Sequence, residues 1–433
     1  MMIRLVKTSE PGFKRLLGDI LGRRGAHQGA VERRVAEIVA AVQTQGDRAL
    51  LRYTRLFDRV RLDRASMEIS PRDSERALGQ VPRRDLTALR LAANRIAAFH
   101  RRQLQKSWYY RDPLGMILGQ RITPLERVGV YVPGGKACYP STVLLNAIPA
   151  KVAGVKEIIM TSPIGDNGNI LLAAAHIAGV NRIFRVGGAQ AVAALAFGTE
   201  TIPKVDKIVG PGNIFVATAK RLVFGEVNID SIAGPSEILL LADGTADPVH
   251  VAADMLSQAE HDELAAALCV TTSAALAQKV GRAIETQLRG TKRRAITEKS
   301  LAKYGAIIVA RGVKEMVDLA NLIAPEHIEV IVRRPGRLAQ QIRNAGAIFL
   351  GPYSAPPLGD YLAGPNHVLP TGGSARFFSP LGTYDFLKRT TIIQAEKRAL
   401  RRLAPKLTQL ARLEGLDDHA RSVEARFRNS ELL

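Results

Sequence analysis

Apolar residues recur at helical spacing through the first hundred positions, and then the rhythm changes. In Val31-Glu-Arg-Arg-Val-Ala-Glu-Ile-Val-Ala-Ala-Val42 and in 85–100 they fall three and four apart, which predicts amphipathic helices. Residues 1 to about 105 therefore read as mostly helical. From about 120, short apolar runs alternate with helical segments. The runs 128–132, 157–161, 182–186 and 207–209 predict strands, with helices over 142–152, 169–177 and 189–196. After a Gly234-Pro235 turn the alternation restarts, with strands at 237–241, 267–271, 306–309, 328–332 and 347–350. Such alternation marks a parallel sheet covered by helices. Two α/β units of similar size suggest an old duplication, although no residue-level repeat accompanies them.

Residues 351–384 are rich in Gly and Pro and form one long shaped loop, a feature that is usually functional in a compact protein. From Asp385 the pattern reads as helix again, and this short tail suits an arm that packs on something else. The fold class is thus α/β, with two incomplete Rossmann-like, parallel-sheet domains, a helical N-terminal region and a helical C-terminal arm. The division drawn is 1–110, 111–235, 236–384 and 385–433.

Composition narrows the function. The 433 residues carry 46% hydrophobic and 23% charged side chains, an ordinary globular balance. No apolar run reaches the ~20 residues that cross a bilayer. The start breaks into charges at once, unlike a secretory signal. Cys138 and Cys269 are too few for a disulfide framework and fit a reducing, cytoplasmic setting. The net charge of +21 raises nucleic acid as a partner, but the arginine pairs, from Arg23-Arg24 to Arg401-Arg402, are spread from end to end. No zinc-finger pattern appears, and 5% aromatics leaves few stacking platforms, so a solvated basic surface is the better account.

Candidate chemistry comes from scattered pieces. The dinucleotide fingerprint Gly-x-Gly-x-x-Gly is absent. Pro133-Gly-Gly135, Gly187-Gly-Ala-Gln190 and Gly210-Pro-Gly-Asn213 follow predicted strands, and glycine there suits either a plain strand-to-helix turn or a nucleotide site. Gln258 and His261, three apart, would share a helix face, and imidazole suits zinc. Asp360 lies in the Gly/Pro loop and His419 in the arm. Pro325-Glu-His327 precedes a strand, where a turn could aim Glu326 and His327 into one cleft. His100, at a helix end, and Cys138 read as packing residues. Asp417 and Asp418 carry no assigned role.

Several of these fragments together resemble the histidinol dehydrogenase family. They are 127–141, 146–154, Val186-Gly-Gly-Ala-Gln-Ala191, Val209-Gly-Pro-Gly-Asn213, Ile229-Asp-Ser-Ile-Ala-Gly-Pro-Ser-Glu237, Ser257-Gln-Ala-Glu-His-Asp262, Pro325-Glu-His327, Gly359-Asp360 and Glu414-Gly-Leu-Asp-Asp-His419. The resemblance spans essentially the whole chain. It implies two successive NAD-dependent oxidations of L-histidinol, through the aldehyde, to L-histidine. It implies NAD contacts at Tyr131, Gln190 and Asn213, and a zinc ion held by Gln258, His261, Asp360 and His419. Glu326 and His327 become the acid-base pair. Ser236, Glu414 and His327 join the metal ligands in substrate contact. His419 is expected to reach the partner's site, so that the arm builds an intertwined homodimer; no specific nucleic acid or membrane partner is implied. The alternatives are a related polyol dehydrogenase, including those for sulfonated diols, and a basic nucleic-acid-binding protein.

Overall fold

The apolar runs past residue 120 are strands buried on both faces, as helix-covered parallel sheets require. They are seen in a computed structural model that describes residues 3–22, 28–134, 138–165, 168–232 and 234–427. Arg23-Arg24 and Gly135, singled out in the sequence, lie outside the described residues. In chain order the strands are β1 (Arg4–Lys7), β2 (Glu68–Ile69), β3 (Trp108–Arg111), β4 (Ile117–Pro124), β5 (Arg127–Tyr131), β6 (Glu157–Thr161), β7 (Arg182–Phe184), β8 (Lys207–Val209), β9 (Asn228–Ile229), β10 (Glu237–Ala242), β11 (Ala266–Thr271), β12 (Ala306–Val309), β13 (His327–Ile331), β14 (Ala347–Leu350) and β15 (Leu387–Gln394).

The chain divides into two compact units. The larger holds the residues up to Gln103 together with Leu125–Phe386, and contains two six-stranded sheets. The first runs β2-β7-β6-β5-β8-β9 and is parallel except for β2; the second runs β1-β12-β11-β10-β13-β14 and is parallel throughout. Both use one winding order. The chain steps outward over three strands, then returns to the far side of the first. This puts topological switch points between β5 and β8 and between β10 and β13. The common order is the topological counterpart of the two similar α/β units read in the sequence.

Each sheet also takes an edge strand, β1 or β2, from the N-terminal region that periodicity assigns to helix. With four and two residues, these strands are too short to show alternation; pairing with β12 and β7 makes them strands. The predicted helices are present as Gln28–Gln45 and Arg83–Arg101.

The second sheet shows why its strands read as unbroken apolar runs. Leu239 and Leu241 of β10 enter one core with Phe13, Leu17 and Met316, while Ile238 and Leu240 enter another with Val251, Met255 and Val280. Successive side chains point to opposite faces, and helices cover both. Each fully buried side chain of this kind contributes about 1.5–3 kcal/mol.

Two buried polar features hold the unit in register. Lys220 is buried against Asp230, and its ammonium also donates to the Gly210 carbonyl at 3.0 Å. Asp230 in turn accepts the Gly210 N–H at 2.8 Å, so one ion pair clamps the turn after β8. In the second sheet Glu329 of β13 is hydrogen-bonded to Asp254 of the helix Pro248–Ala259. Burial, then the neighbouring Asp254, pushes the Glu329 carboxyl up to about 10, and burial raises Asp254 as well, so the two acids share a proton.

The smaller unit comprises Leu104–Pro124 and the chain from Leu387 on. Its core is the antiparallel sheet β15-β4-β3, with β15 and β4 paired from Leu387↔Pro124 to Gln394↔Ile117. The tail therefore opens on a strand where the sequence reading has helix from Asp385. Thr390-Thr-Ile-Ile393 is β-branched throughout, a signal that favours a strand. The helices Lys397–Leu413 and Asp417–Glu424 follow. Asp417, left without a role in the sequence, pairs with Arg412 at 3.2 Å and Arg421 at 2.9 Å, and Arg412 reaches Glu424 at 2.7 Å. Among the described residues no helix is long and apolar enough to cross a membrane.

Asp230→Ala strands the Lys220 ammonium in a buried site and leaves the Gly210 N–H unpaired. A loss of about 3–5 kcal/mol is expected in equilibrium urea unfolding; a loss below about 1 kcal/mol would show that the clamp is dispensable. Glu329→Gln tests the shared proton. The folded-state pKa lies above the unfolded value of about 4.3, so folding retains a proton that the unfolded chain releases, and stability falls as pH climbs from there toward 10. The variant lacks this slope, and its stability relative to the parent rises between about pH 5 and 9. A difference that stays flat over that range would mean that Glu329 is ionised.

Candidate active site

The carboxyl ends of the first sheet and the amino ends of the second open on one cleft of about 1570 Å³. Tyr131, Gln190 and Asn213 line it from the first sheet; Ser236, Gln258, His261, Glu326, His327 and Asp360 line it from the second half of the unit. The sequence-predicted residues of the larger unit are therefore brought together. Glu414 and His419 belong to the smaller unit: Glu414 caps the helix Lys397–Leu413, and His419 lies on Asp417–Glu424.

Among the described residues, glycine turns at 187–188 and 210–213 build the first-sheet side. Tyr131 ends β5, and its buried hydroxyl accepts the Gly188 N–H at 3.1 Å. Burial pushes that phenol up to about 12, and it stays neutral. Gln190, in the first turn of the helix Gly188–Phe197, is fully buried and donates to Asp58 at 3.3 Å, while its Oε1 has no partner. Asn213 caps the helix Ile214–Val223, accepting from Phe215 at 3.0 Å and Val216 at 3.2 Å. Gly210 must be glycine: its φ is +116°, and a Cβ would lie 2.1 Å from the Tyr131 carbonyl oxygen.

The second side is set by the turn before β13. The helix Val313–Ile323 stops at Ala324, a non-glycine residue in the left-handed region with φ 48°. Pro325 follows, and the chain enters β13 with Glu326 and His327 both facing the cleft. The Glu326 carboxylate accepts the Glu237 N–H at 3.0 Å, which ties it to the start of β10. Its carbonyl accepts the Ala347 N–H at 2.9 Å. His327 Nδ1 lies 3.7 Å from Glu326 Oε2, and Nε2 lies 3.9 Å from Asp360 Oδ1. The His327 ring is buried, it packs on Phe349 at 5.9 Å, and neither ring nitrogen has a hydrogen-bond partner.

Gln258 is buried near the end of the helix Pro248–Ala259. That helix ends before His261, so the two do not share a helical face as their spacing suggests. The His261 N–H instead bonds the Gln258 carbonyl at 3.3 Å, and this turn keeps them adjacent. Asp360 sits on a wide helical turn, Leu358–Leu362, in the Gly/Pro loop.

Burial sets the charge states. It lowers His327 below the ordinary imidazole value, against the pull of Asp360, and it lowers His261, with His327 and Arg293 adding to the shift. It raises the Asp360 carboxyl, with His327 opposing. His367 is held down to about 4 by burial first, then by His327. Its Nε2 lies 3.5 Å from Thr142 Oγ1. The cleft thus gathers three imidazoles that are neutral at pH 7, each able to accept a proton or bind a metal through nitrogen. Sequence reasoning missed His367 and Asp58; the only signal for His367 was its place in the Gly/Pro loop, and for Asp58 there was none.

Among the described residues, no three His, Cys, Asp or Glu side chains stand arranged as a metal cluster. The expected set takes only His261 and Asp360 of those types from the larger unit, with Gln258 as amide. As a donor set, a neutral imidazole, a carboxylate and an amide oxygen fit a borderline ion such as Zn²⁺.

The histidinol dehydrogenase family model matches residues 21–427. The chain is 55% identical over 431 residues to the histidinol dehydrogenase of Syntrophotalea carbinolica, covering 99% of this chain and 100% of that one. It is 54% identical over 395 residues to the Aquifex aeolicus enzyme, covering 91% and 92%. The crystal structure of histidinol dehydrogenase from Elizabethkingia anophelis superposes with a TM-score of 0.92 at 33% identity, over 99% of this chain and 98% of that one. The α/β reading with parallel sheets is borne out, and the chain is an oxidoreductase of the histidinol dehydrogenase family.

Proposed function

We propose that this chain oxidises L-histidinol to L-histidine in two steps, each passing a hydride to NAD. In balance, the alcohol, one water and two NAD⁺ become the carboxylate, two NADH and three protons. The observation that carries this reading is the single cleft lined at once by the glycine turns of the first sheet and by Glu326, His327 and Asp360. A hydride acceptor on one wall then faces a proton acceptor on the other.

His327, kept neutral by burial, takes the hydroxyl proton as the first hydride leaves. Glu326, fixed by the Glu237 N–H, takes a proton from the water that hydrates the aldehyde. The resulting diol gives up its second hydride from the same place. Retention between the steps keeps a reactive aldehyde away from other amines. Ser236 and Glu414 contact the substrate. Gln258, His261 and Asp360 hold a zinc ion, completed by His419 of the partner subunit. When bound, that ion supplies an anchor for the imidazole and amino nitrogens of histidinol.

A homodimer fits the smaller unit, which leaves Trp108, Tyr109, Tyr110, Ile393, Leu410 and Leu413 at least half exposed, an apolar surface suited to a second copy. NAD belongs on the sheet of residues 111–235, and the metal and acid-base groups on 236–384. The place of work is the cytoplasm.

Purified protein given L-histidinol and NAD should form two NADH per histidinol, and a chelator should abolish this. Turnover of a sulfonated diol but not histidinol would overturn the reading. Glu326→Gln should lose about 10²-fold or more of the oxidation of supplied histidinaldehyde, within the usual contribution of a general base; an intact second step would remove Glu326 from the water-activating role.

A further inference from the structure

Asp58 enters the cleft from outside both sheets. It caps the end of the helix Asp47–Phe57, and the next residue, Arg59, is a non-glycine in the left-handed region with φ 57°. That conformation is uncommon for arginine and turns the chain sharply just after the carboxylate. Asp58 lines the cleft beside Tyr131, Gly188 and Gln190. It accepts from Gln190 Nε2 at 3.3 Å and from the Gly187 backbone N–H.

Those bonds change what the turn can do. A glycine turn before a helix ordinarily offers its bare N–H groups to a phosphate. Here the Gly187 N–H is taken by Asp58 and the Gly188 N–H by the Tyr131 hydroxyl. The Gly210 N–H is likewise taken, by Asp230. The turn at 187–188 therefore presents a carboxylate where a phosphate cradle would otherwise stand. In dinucleotide-binding sheets an acidic residue accepts from the adenosine ribose, and it normally follows the glycine turn by about 20 residues. Here it precedes the whole sheet in sequence.

We propose that Asp58 is the specificity-determining residue that makes this cleft select NAD over NADP, by accepting from the 2′-hydroxyl of the adenosine ribose. The inference rests on the NAD reading given above. A 2′-phosphate removes that hydroxyl donor and brings about two negative charges to a site that already holds one. Arg34 lines the same cleft, stacked on Phe57 at 5.2 Å, and would favour the phosphate once the carboxylate is neutralised.

The test is calorimetric titration of the full-length protein, without substrate, with NAD, NADP and the 2′-deoxyadenosine analogue of NAD. The parent chain should bind NAD at least about thirtyfold tighter than NADP and about tenfold tighter than the deoxy analogue. Asp58→Asn should cut the NAD/NADP ratio at least tenfold, chiefly by tightening NADP, with circular dichroism reporting that it is folded. An unchanged ratio in the folded variant overturns the assignment while leaving NAD dependence intact. If the variant does not fold, the parent's titrations decide: equal binding of NAD and the deoxy analogue overturns the assignment, and a tenfold gap upholds it. A parent chain that binds neither NAD nor NADP overturns the assignment and the NAD reading together.

Discussion

The hydrogen bond from the Glu237 N–H to the Glu326 carboxylate joins the starts of β10 and β13, the two strands at the switch point of the second sheet. The gap that a switch point opens ordinarily lies outside the carboxyl ends of the strands; here the two strands are joined at their amino ends. In the first sheet the carboxyl ends face the cleft, as is usual. In the second the amino ends do. That reversal places Ser236, Glu326 and His327 opposite the glycine turns and not behind them.

Local geometry makes the arrangement hold. Ala324 takes a left-handed conformation to end its helix, and Gly346 must lack a side chain because a Cβ would come 2.5 Å from the Glu326 carbonyl oxygen. The protonated Glu329–Asp254 pair lies two residues along the strand from His327 and four along the helix from Gln258. It ties the strand that begins at His327 to the helix that carries Gln258, and the shared proton leaves the pair with one negative charge in place of two.

Electrostatically the site is a set of withheld protons. Burial lowers His261, His327 and His367 and raises Asp360, so at neutral pH the imidazoles are free bases. Three N–H groups of the glycine turns are spent internally: Gly187 on Asp58, Gly188 on Tyr131 and Gly210 on Asp230.

Much of this was legible in the chain as written. Runs such as 237–241 and 306–309 announce buried parallel strands because helices cover both faces. Family likeness singled out Glu326, His327, Gln258 and Asp360, but the periodicity around them carries no such message. The short edge strands β1 and β2, the strand at Leu387–Gln394, the turn that displaces His261 from its helix, and the presence of Asp58 and His367 in the cleft were settled only in three dimensions. Each depends on a partner far away in sequence. Local pattern reports which face of an element is apolar; it cannot report which distant backbone will pair with it, nor which buried wall will strip an imidazole of its proton.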